Sequence, residues 1–285
     1  MTLIYAGLSL GAVYALVAIG YNIVFIASHS FNFAQAQLMM VGAFVAYLGY
    51  VTLELPAVLV VALAMTVVML VAAIEERIAI RPVADHQTQL ITTLGFGTVL
   101  TGIVQILWGT QPLQVPFAGG GDVLTVAGGR VFPVELALIV FSIVLVIMIS
   151  TYTRRRLNGL ALVAMSQDEE AATLRGVSVR KLTFAAFAVT GLLAGLMGVL
   201  IGPKTYAVAT LGAALALKGF VALAIGGFGS MYGGLLGGLA VGLVETYVAR
   251  YLGSDFSNLS VFLLLLLVLL IRPTGLFGRV QERTV

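Results

Sequence analysis

The sequence predicts an all-α fold, a polytopic bundle of membrane helices, and three observations carry that expectation. Sixty per cent of the 285 residues are hydrophobic and only 9% are charged, where a soluble domain carries charge on about a quarter of its residues. Mean hydropathy is +1.10. Apolar runs of roughly 20 residues recur along the chain, the length a helix needs to cross the hydrocarbon core and unlike the weaker alternation of a β-barrel strand. The 33 glycines, many inside these runs, are the small residues that let membrane helices approach closely. With no Cys and only His29 and His86, the chain offers no disulfide framework, no thiolate nucleophile and no histidine-rich metal site. The net charge of +3 makes no case for nucleic acid, because the bases cluster at helix ends and there fix orientation.

Taken in order, the first span runs from Leu3 to Ile26, with Gly7, Gly11, Ala15 and Ala18 forming a packing stripe. No cleavable signal peptide is expected, since Met1 to Ile26 lacks a basic start and is long enough to span. Ser28 to Gln37 is a polar stretch that merges into a second span, Leu38 to Leu53. Glu54-Leu55-Pro56 makes a turn, because the residue before a proline resists the helix. Ala57 to Ile74 is the third span, closed by Glu75-Glu76-Arg77, and Thr88 to Trp108 is the fourth, its terminal indole suited to the interface. Gln111 to Phe132 holds two prolines, three consecutive glycines (119–121) and two Val/Thr-rich pieces that suit a small hairpin. Those glycines are no phosphate loop, for no Gly-Lys-Ser/Thr follows and no βαβ unit surrounds them. The remaining spans are Pro133–Tyr152, Lys181–Ile201, a shorter and broken Leu211–Gly229, Tyr232–Tyr247 and Phe256–Ile271.

Between the fifth and sixth spans lies the longest stretch that a bilayer would not accept, residues 153–181, carrying six of the fifteen Lys and Arg. Ser166 is placed to cap a short helix there, with Glu169 three residues on completing a capping box. Asp168 and Glu169 put negative charge in its first turn, Arg175 puts positive charge in its last, and Gly176 supplies a left-handed exit. So short a helix is marginal alone, so it is either an ordinary solvated loop helix or one held against another protein.

The basic loop and the tail with Arg272, Arg279 and Arg283 are both expected in the cytoplasm. Four crossings between them satisfy that, which gives nine spans, an outside N-terminus and two halves of inverted sense about the fifth span. Transport sites in such halves lie between them, near broken helices, and Phe31–Gln37 and Leu211–Gly229 are the broken candidates. Asn32, Gln35 and Gln37 either hydrogen-bond a polar substrate or satisfy backbone groups at a helix break, with Phe31 and Phe33 packing or gating beside them. Lys218, about 10 Å below the outer end of its span, either pairs with Glu245 in the next span or snorkels outward.

These residues carry a resemblance. Gly11 to Tyr21, Asn32-Phe33-Ala34, Glu76-Arg77 with Arg81-Pro82-Val83, Asp168 to Val177, Lys218-Gly219-Phe220 through Gly226-Gly227-Phe228-Gly229-Ser230, and Arg272 to Gly278 follow one another as in the permease subunits of branched-chain (hydrophobic) amino acid ABC importers, which this sequence closely resembles over nearly its whole length. Glu170-Ala171-Ala172 followed by Gly176 is similar to the Glu-Ala-Ala loop through which ABC importer permeases dock into their ATPase. The resemblance implies a single transmembrane permease domain over 1–285 with a cytoplasmic coupling loop at 153–181 that holds the coupling helix, no enzymatic activity of its own and no cofactor. It also implies four kinds of partner: a second homologous permease chain, two cytoplasmic ATPase subunits, an extracytoplasmic binding protein and the lipid bilayer of a bacterial inner membrane. No Walker motif occurs here, so ATP hydrolysis resides elsewhere. The family continues Asn-Phe-Ala with His-Gly where this chain has Gln35-Ala36, so relatives serving urea, amides or aromatic acids stand beside those serving branched-chain amino acids. An ion-coupled secondary carrier is the competing class; it would need buried carboxylates, of which the sequence offers essentially Glu245.

Overall fold

The structure is a computed structural model that describes residues 1–278 apart from His29, Ala84, Gly121 and Ala127, with the side chains of His86 and Glu169 also set aside. The expected basic tail at Arg279 and Arg283 and the interfacial His29 therefore lie outside the described residues. Among the described residues there are eleven α-helices: α1 Thr2–Ser28, α2 Gln35–Tyr47, α3 Ala57–Glu75, α4 His86–Trp108, α5 Pro133–Arg155, α6 Leu157–Met165, α7 Glu169–Leu174, α8 Val179–Thr205, α9 Leu211–Gly226, α10 Met231–Tyr251 and α11 Asp255–Ile271. One antiparallel hairpin, β1 Leu124–Val126 and β2 Gly129–Val131, falls in the segment where the sequence places it. Six helices are long and apolar enough to cross a membrane (α1, α3 with its continuation, α4, α5, α8 and α10), while α9 and α11 are shorter apolar helices.

Three elements differ from expectation. The third span does not stop at Ile74: Glu75 ends α3 and a π-helical turn over Glu76–Ile80 carries the helix on, so both carboxylates sit inside it. α9 is unbroken from Leu211 to Gly226. Its Gly219 marks a close approach to Val17 and not a break. α6 was not foreseen, because nine residues after three arginines have neither the length of a span nor a polar cap to announce them.

The described residues form two compact units. In one (23–122 and 151–216), α8 packs along both α2 and α3 around a core of Met40, Phe44, Val60, Ala64 and Val199. Backbone contact between the helices requires glycine here. A Cβ on Gly198 would stand 2.6 Å from the amide nitrogen of Ala43, and one on Gly195 would stand 2.8 Å from Cα of Met65. Trp108 is turned inward onto Phe44, with ring centroids 5.4 Å apart. The segments after α4 and α8 are tied by a short bridge, Leu113 N donating to Ala207 O and Ala207 N to Leu113 O.

In the other unit (1–22, 123–150 and 217 onward), α10 lies on α1 through small residues. A Cβ on Gly11 would come within 2.7 Å of the Gly238 carbonyl oxygen, and one on Gly238 within 2.5 Å of the Ala15 amide nitrogen. α1 has almost no polar face, and from Gly11 to Val24 every residue is buried, as a helix that is apolar all round should be. Not every glycine is a contact. Gly95 and Gly102 on α4 have no neighbour within 4 Å of a would-be Cβ.

Gly198→Leu must therefore displace backbone, and it is expected to destabilise the protein by about 1–3 kcal/mol or more. Gly102→Leu fills open space and is expected to stay within about 1 kcal/mol of wild type, helix propensity being in its favour. Thermal unfolding in detergent compares the two.

Candidate functional site

The short helix expected between the fifth and sixth spans is present, with its cap at a different residue. The last carbonyls of α6 take up the next groups in the chain: Ser166 N donates to Leu162 O, and the Ser166 hydroxyl donates to Val163 O at 2.7 Å. Ser166 is thus the end of α6 and not the cap of α7, and the capping box expected from Ser166 and Glu169 is replaced. Asp168, in extended conformation, accepts from Ala171 N at 2.8 Å and caps α7. The Glu169 side chain is outside the described residues. At the other end Gly176 has φ +84°, Gly176 N donates to Thr173 O and Val177 N to Ala172 O, the paired bonds of a Schellman close. Arg175 sits at the C-cap. Ala172 is buried, whereas Glu170, Ala171, Thr173 and Arg175 are exposed and Leu174 is 85% exposed. An apolar side chain so exposed on a capped helix six residues long is a surface without an intrachain partner. α6 fixes where it stands, since a Cβ on Gly159 would lie 2.6 Å from Cα of Thr153 in the last turn of α5.

Of the residues expected on a substrate path, Asn32 lies between α1 and α2. Its carboxamide oxygen accepts from Ala34 N at 2.8 Å, and its nitrogen donates to Glu75 Oε2 at 3.1 Å. Phe33 N donates to the Thr93 hydroxyl at 3.3 Å, and the Phe33 and Phe31 rings lie 6.4 Å apart. Gln35 and Gln37 are not part of a break; they open α2. Gln35 is fully buried, and Gln37 is held between α4 and the start of α9, where Cβ atoms on Gly97 or Gly212 would meet it at 3.1 and 2.9 Å. Sequence reasoning did not connect Glu75 with these residues. It is fully buried, and the signal was available only as one carboxylate too many before Arg77, with Glu76 already engaged by Arg81 at 3.2 Å.

Lys218 Nζ lies 2.5 Å from Glu245 Oε1, and Tyr14 donates to Glu245 Oε2 at 2.8 Å. The ammonium also stands over the Tyr14 ring, 5.6 Å from its centroid. Tyr14 was not anticipated in this group. A second unforeseen polar residue is Asn22, buried in α1: it donates to Ser230 O at 2.9 Å and accepts from Gly229 N at 2.8 Å. That clamp holds the turn after α9, whose last carbonyls also receive Leu276 N and Phe277 N from the Arg272–Gly278 motif.

Two substitution sets follow from these geometries. Lys218→Ala and Glu245→Ala are each expected to destabilise, and the double variant to lose less than their sum by about 1–3 kcal/mol; unfolding measurements on the three proteins check this. Asp168→Ala is expected to cost α7 about 1 kcal/mol while Ser166→Ala leaves it unchanged, read by hydrogen exchange at the Ala171 and Ala172 amides.

Comparison with known proteins bears on what these groups serve. Residues 3–271 match the model of a family described as branched-chain amino acid transport system / permease component. The chain is 27% identical to the high-affinity branched-chain amino acid transport system permease protein LivH of Salmonella typhimurium, over 99% of this chain and 96% of that protein. It is 28% identical to BraD of Pseudomonas aeruginosa, which carries the same description, over 98% and 96%. The ribose import permease protein RbsC of Haemophilus influenzae is 28% identical over 78% of this chain and 68% of that one. Among solved structures, PsaBC from Streptococcus pneumoniae in complex with Fab superposes with a TM-score of 0.55 over 97% of this chain and 94% of that chain, at 14% identity, a likeness of fold alone. A match over almost all of the helical region, with relatives of the same description along the full length, decides the matter: the chain belongs to the branched-chain amino acid transport system permease family.

Proposed function

We propose that this chain is the membrane permease subunit of an ATP-driven importer for branched-chain or related small hydrophobic amino acids. The observation that carries the reading is the family match from residue 3 to residue 271, which sets the exposed helix α7 in the context of a permease. In that context α7 is the peg that enters a groove on a cytoplasmic ATPase, with Glu170 and Leu174 on the inserted face. A second homologous permease chain, two ATPase subunits and an extracytoplasmic binding protein complete the importer in a bacterial inner membrane.

The helices α1, α2, α3, α4, α5, α8, α9, α10 and α11 then make nine crossings, with the N-terminus outside, the α6–α7 loop and the C-terminus in the cytoplasm, and inverted halves on either side of α5. Orientation rests on Arg154, Arg155 and Arg156 at the end of α5 and on the positive-inside bias. The mechanism is alternating access. When ATP closes the ATPase dimer, α7 moves with its groove; the backbone contact at Gly159 passes that displacement through α6 to α5, and the permease chains rock about the path between them. The hydrolytic chemistry belongs to the partners, and this chain supplies the path. The substrate reading leans on LivH and BraD, which span nearly the whole chain, more than on the shorter match to the ribose permease.

Co-expression with the neighbouring ATPases and binding protein, followed by uptake of radiolabelled leucine, isoleucine and valine, tests the reading. Glu170→Lys and Gly176→Pro are expected to reduce ATP-dependent uptake at least a hundredfold with the protein still in the membrane. Unimpaired uptake by either variant, or uptake by the lone chain under an ion gradient, removes the ATPase-coupled mechanism.

A further inference from the structure

The α1–α2 connection and its surroundings hold a set of buried polar atoms with one chemical bias. Glu75 Oε1, Gln35 Oε1, Gln37 Oε1 and Gln89 Oε1 are buried and have no hydrogen-bond partner among the described residues. All four are oxygens in the acceptor role, and the comparable donors are Gln35 Nε2 and the hydroxyl of Ser30 in the same connection. Gln37 reversed presents a donor in place of its acceptor, whereas the Glu75 oxygen has no such reversal. Gln89 is fixed by its own nitrogen donating to Val83 O at 2.8 Å, and both polar atoms of Gln35 stand in the same condition. A buried acceptor without a donor is costly, and a carboxylate most of all. The complement to the unpartnered Glu75 oxygen is a cationic donor group.

The set is drawn from three helices of one unit, α2, α3 and α4. Asn32 donates to Glu75 Oε2 and so turns the other carboxylate oxygen free, while Gln35 N donates to Asn32 O, placing Gln35 one turn away. On α4, Gln89, Thr93 and Gly97 recur every four residues along one face, about 12 Å in length. Gln89 carries one free acceptor, Thr93 accepts from Phe33 N, and Gly97 leaves room for Gln37. The cations nearest Glu75 in sequence are occupied: Arg77 lies over the Phe184 ring at 5.8 Å, and Arg81 is paired with Glu76. No cluster of three metal-ligating His, Cys, Asp or Glu exists among the described residues, and one carboxylate beside carboxamides suits a singly charged cation.

The geometry points to Glu75, positioned by Asn32, as the acceptor for the α-ammonium group of the transported amino acid, with Gln35 accepting a second N–H. This rests on the proposed amino-acid importer and adds the end of the substrate that the permease itself reads. In the proposed orientation Glu75 lies five residues before the cytoplasmic end of its helix, about 8 Å along the axis, so the ammonium meets it late in inward passage. Its occupation is compatible with release, because one carboxylate oxygen is already engaged by Asn32 and the grip is shared with neutral groups.

Two measurements on the assembled importer test the assignment. Glu75→Gln retains an acceptor for Asn32 and removes the charge; it is expected to slow leucine uptake at least tenfold with unchanged membrane level. Dicyclohexylcarbodiimide labelling of the wild-type complex, read by mass spectrometry at the Glu75 peptide, is expected to slow at least fivefold in 3-methylbutylammonium, which keeps the cation, and not in 4-methylpentanoate, which keeps only the carboxylate. Wild-type uptake in Glu75→Gln, or equal labelling with both compounds, overturns the assignment. Should Glu75→Gln fail to reach the membrane, the labelling comparison decides alone. Should the wild-type importer take up no leucine, the substrate reading fails while protection by the amine still supports the site and its absence still removes it.

Discussion

A polar side chain placed in the middle of a membrane bundle has no water to turn to, so it must find its partner inside the protein. α1 is where this constraint is felt most, since its central turns are buried without interruption. Tyr14 answers it by donating to Glu245, and Asn22 by clamping the turn between Gly229 and Ser230. Beyond the end of the helix Asn32 does the same with Glu75. Each of these residues ties a distant segment to the first helix or its sequel, with contacts 43 to 231 residues apart in sequence. The apolar surface of the helices says little about which helix should neighbour which. These few polar groups do, because each is hydrogen-bonded to one particular distant segment.

Close packing supplies the second specification. The glycines that matter are those where helix backbones touch, Gly195 and Gly198 on α8 and Gly11, Gly238 and Gly242 between α1 and α10. The same device appears at Gly159, where a nine-residue helix is seated on the last turn of α5. That seat is backbone on backbone, Gly159 of α6 against Thr153 of α5.

Much of this was legible in the residues. Long apolar runs locate the helices to within a few positions, the Gly128-Gly129 turn locates the hairpin, and Gly176 ends α7 with the φ its position demands. The cap at the other end was misplaced by two residues. Ser166 and Asp168 are both good N-caps, and only the presence of α6, whose carbonyls consume the Ser166 hydroxyl and amide, leaves the role to Asp168. Lys218 and Glu245 stand out as charges in apolar runs, whereas Tyr14 and Asn22 do not, being ordinary residues whose meaning comes from a partner more than 200 positions away. Glu75 was hidden for a related reason. It sits where a helix was expected to end, and a carboxylate at a helix end reads as solvated until the π-helical turn after it shows that the helix continues.

The family, the polar ties of α1 and the exposed, capped α7 are what the proposed reading joins, a permease moved from the cytoplasm through α7. The chain has no cysteine, which makes the most direct measurement a simple one. A single thiol introduced as Leu174→Cys, at the most exposed point of α7, is treated with a membrane-impermeant maleimide in intact cells, in inside-out vesicles, and in vesicles holding the complete complex with its ATPase subunits. If α7 is the cytoplasmic peg, the thiol is silent in intact cells, reacts in inside-out vesicles of the permease alone, and is shielded once the ATPases are bound. Labelling from the cell exterior, or equal labelling with and without the ATPases, contradicts it.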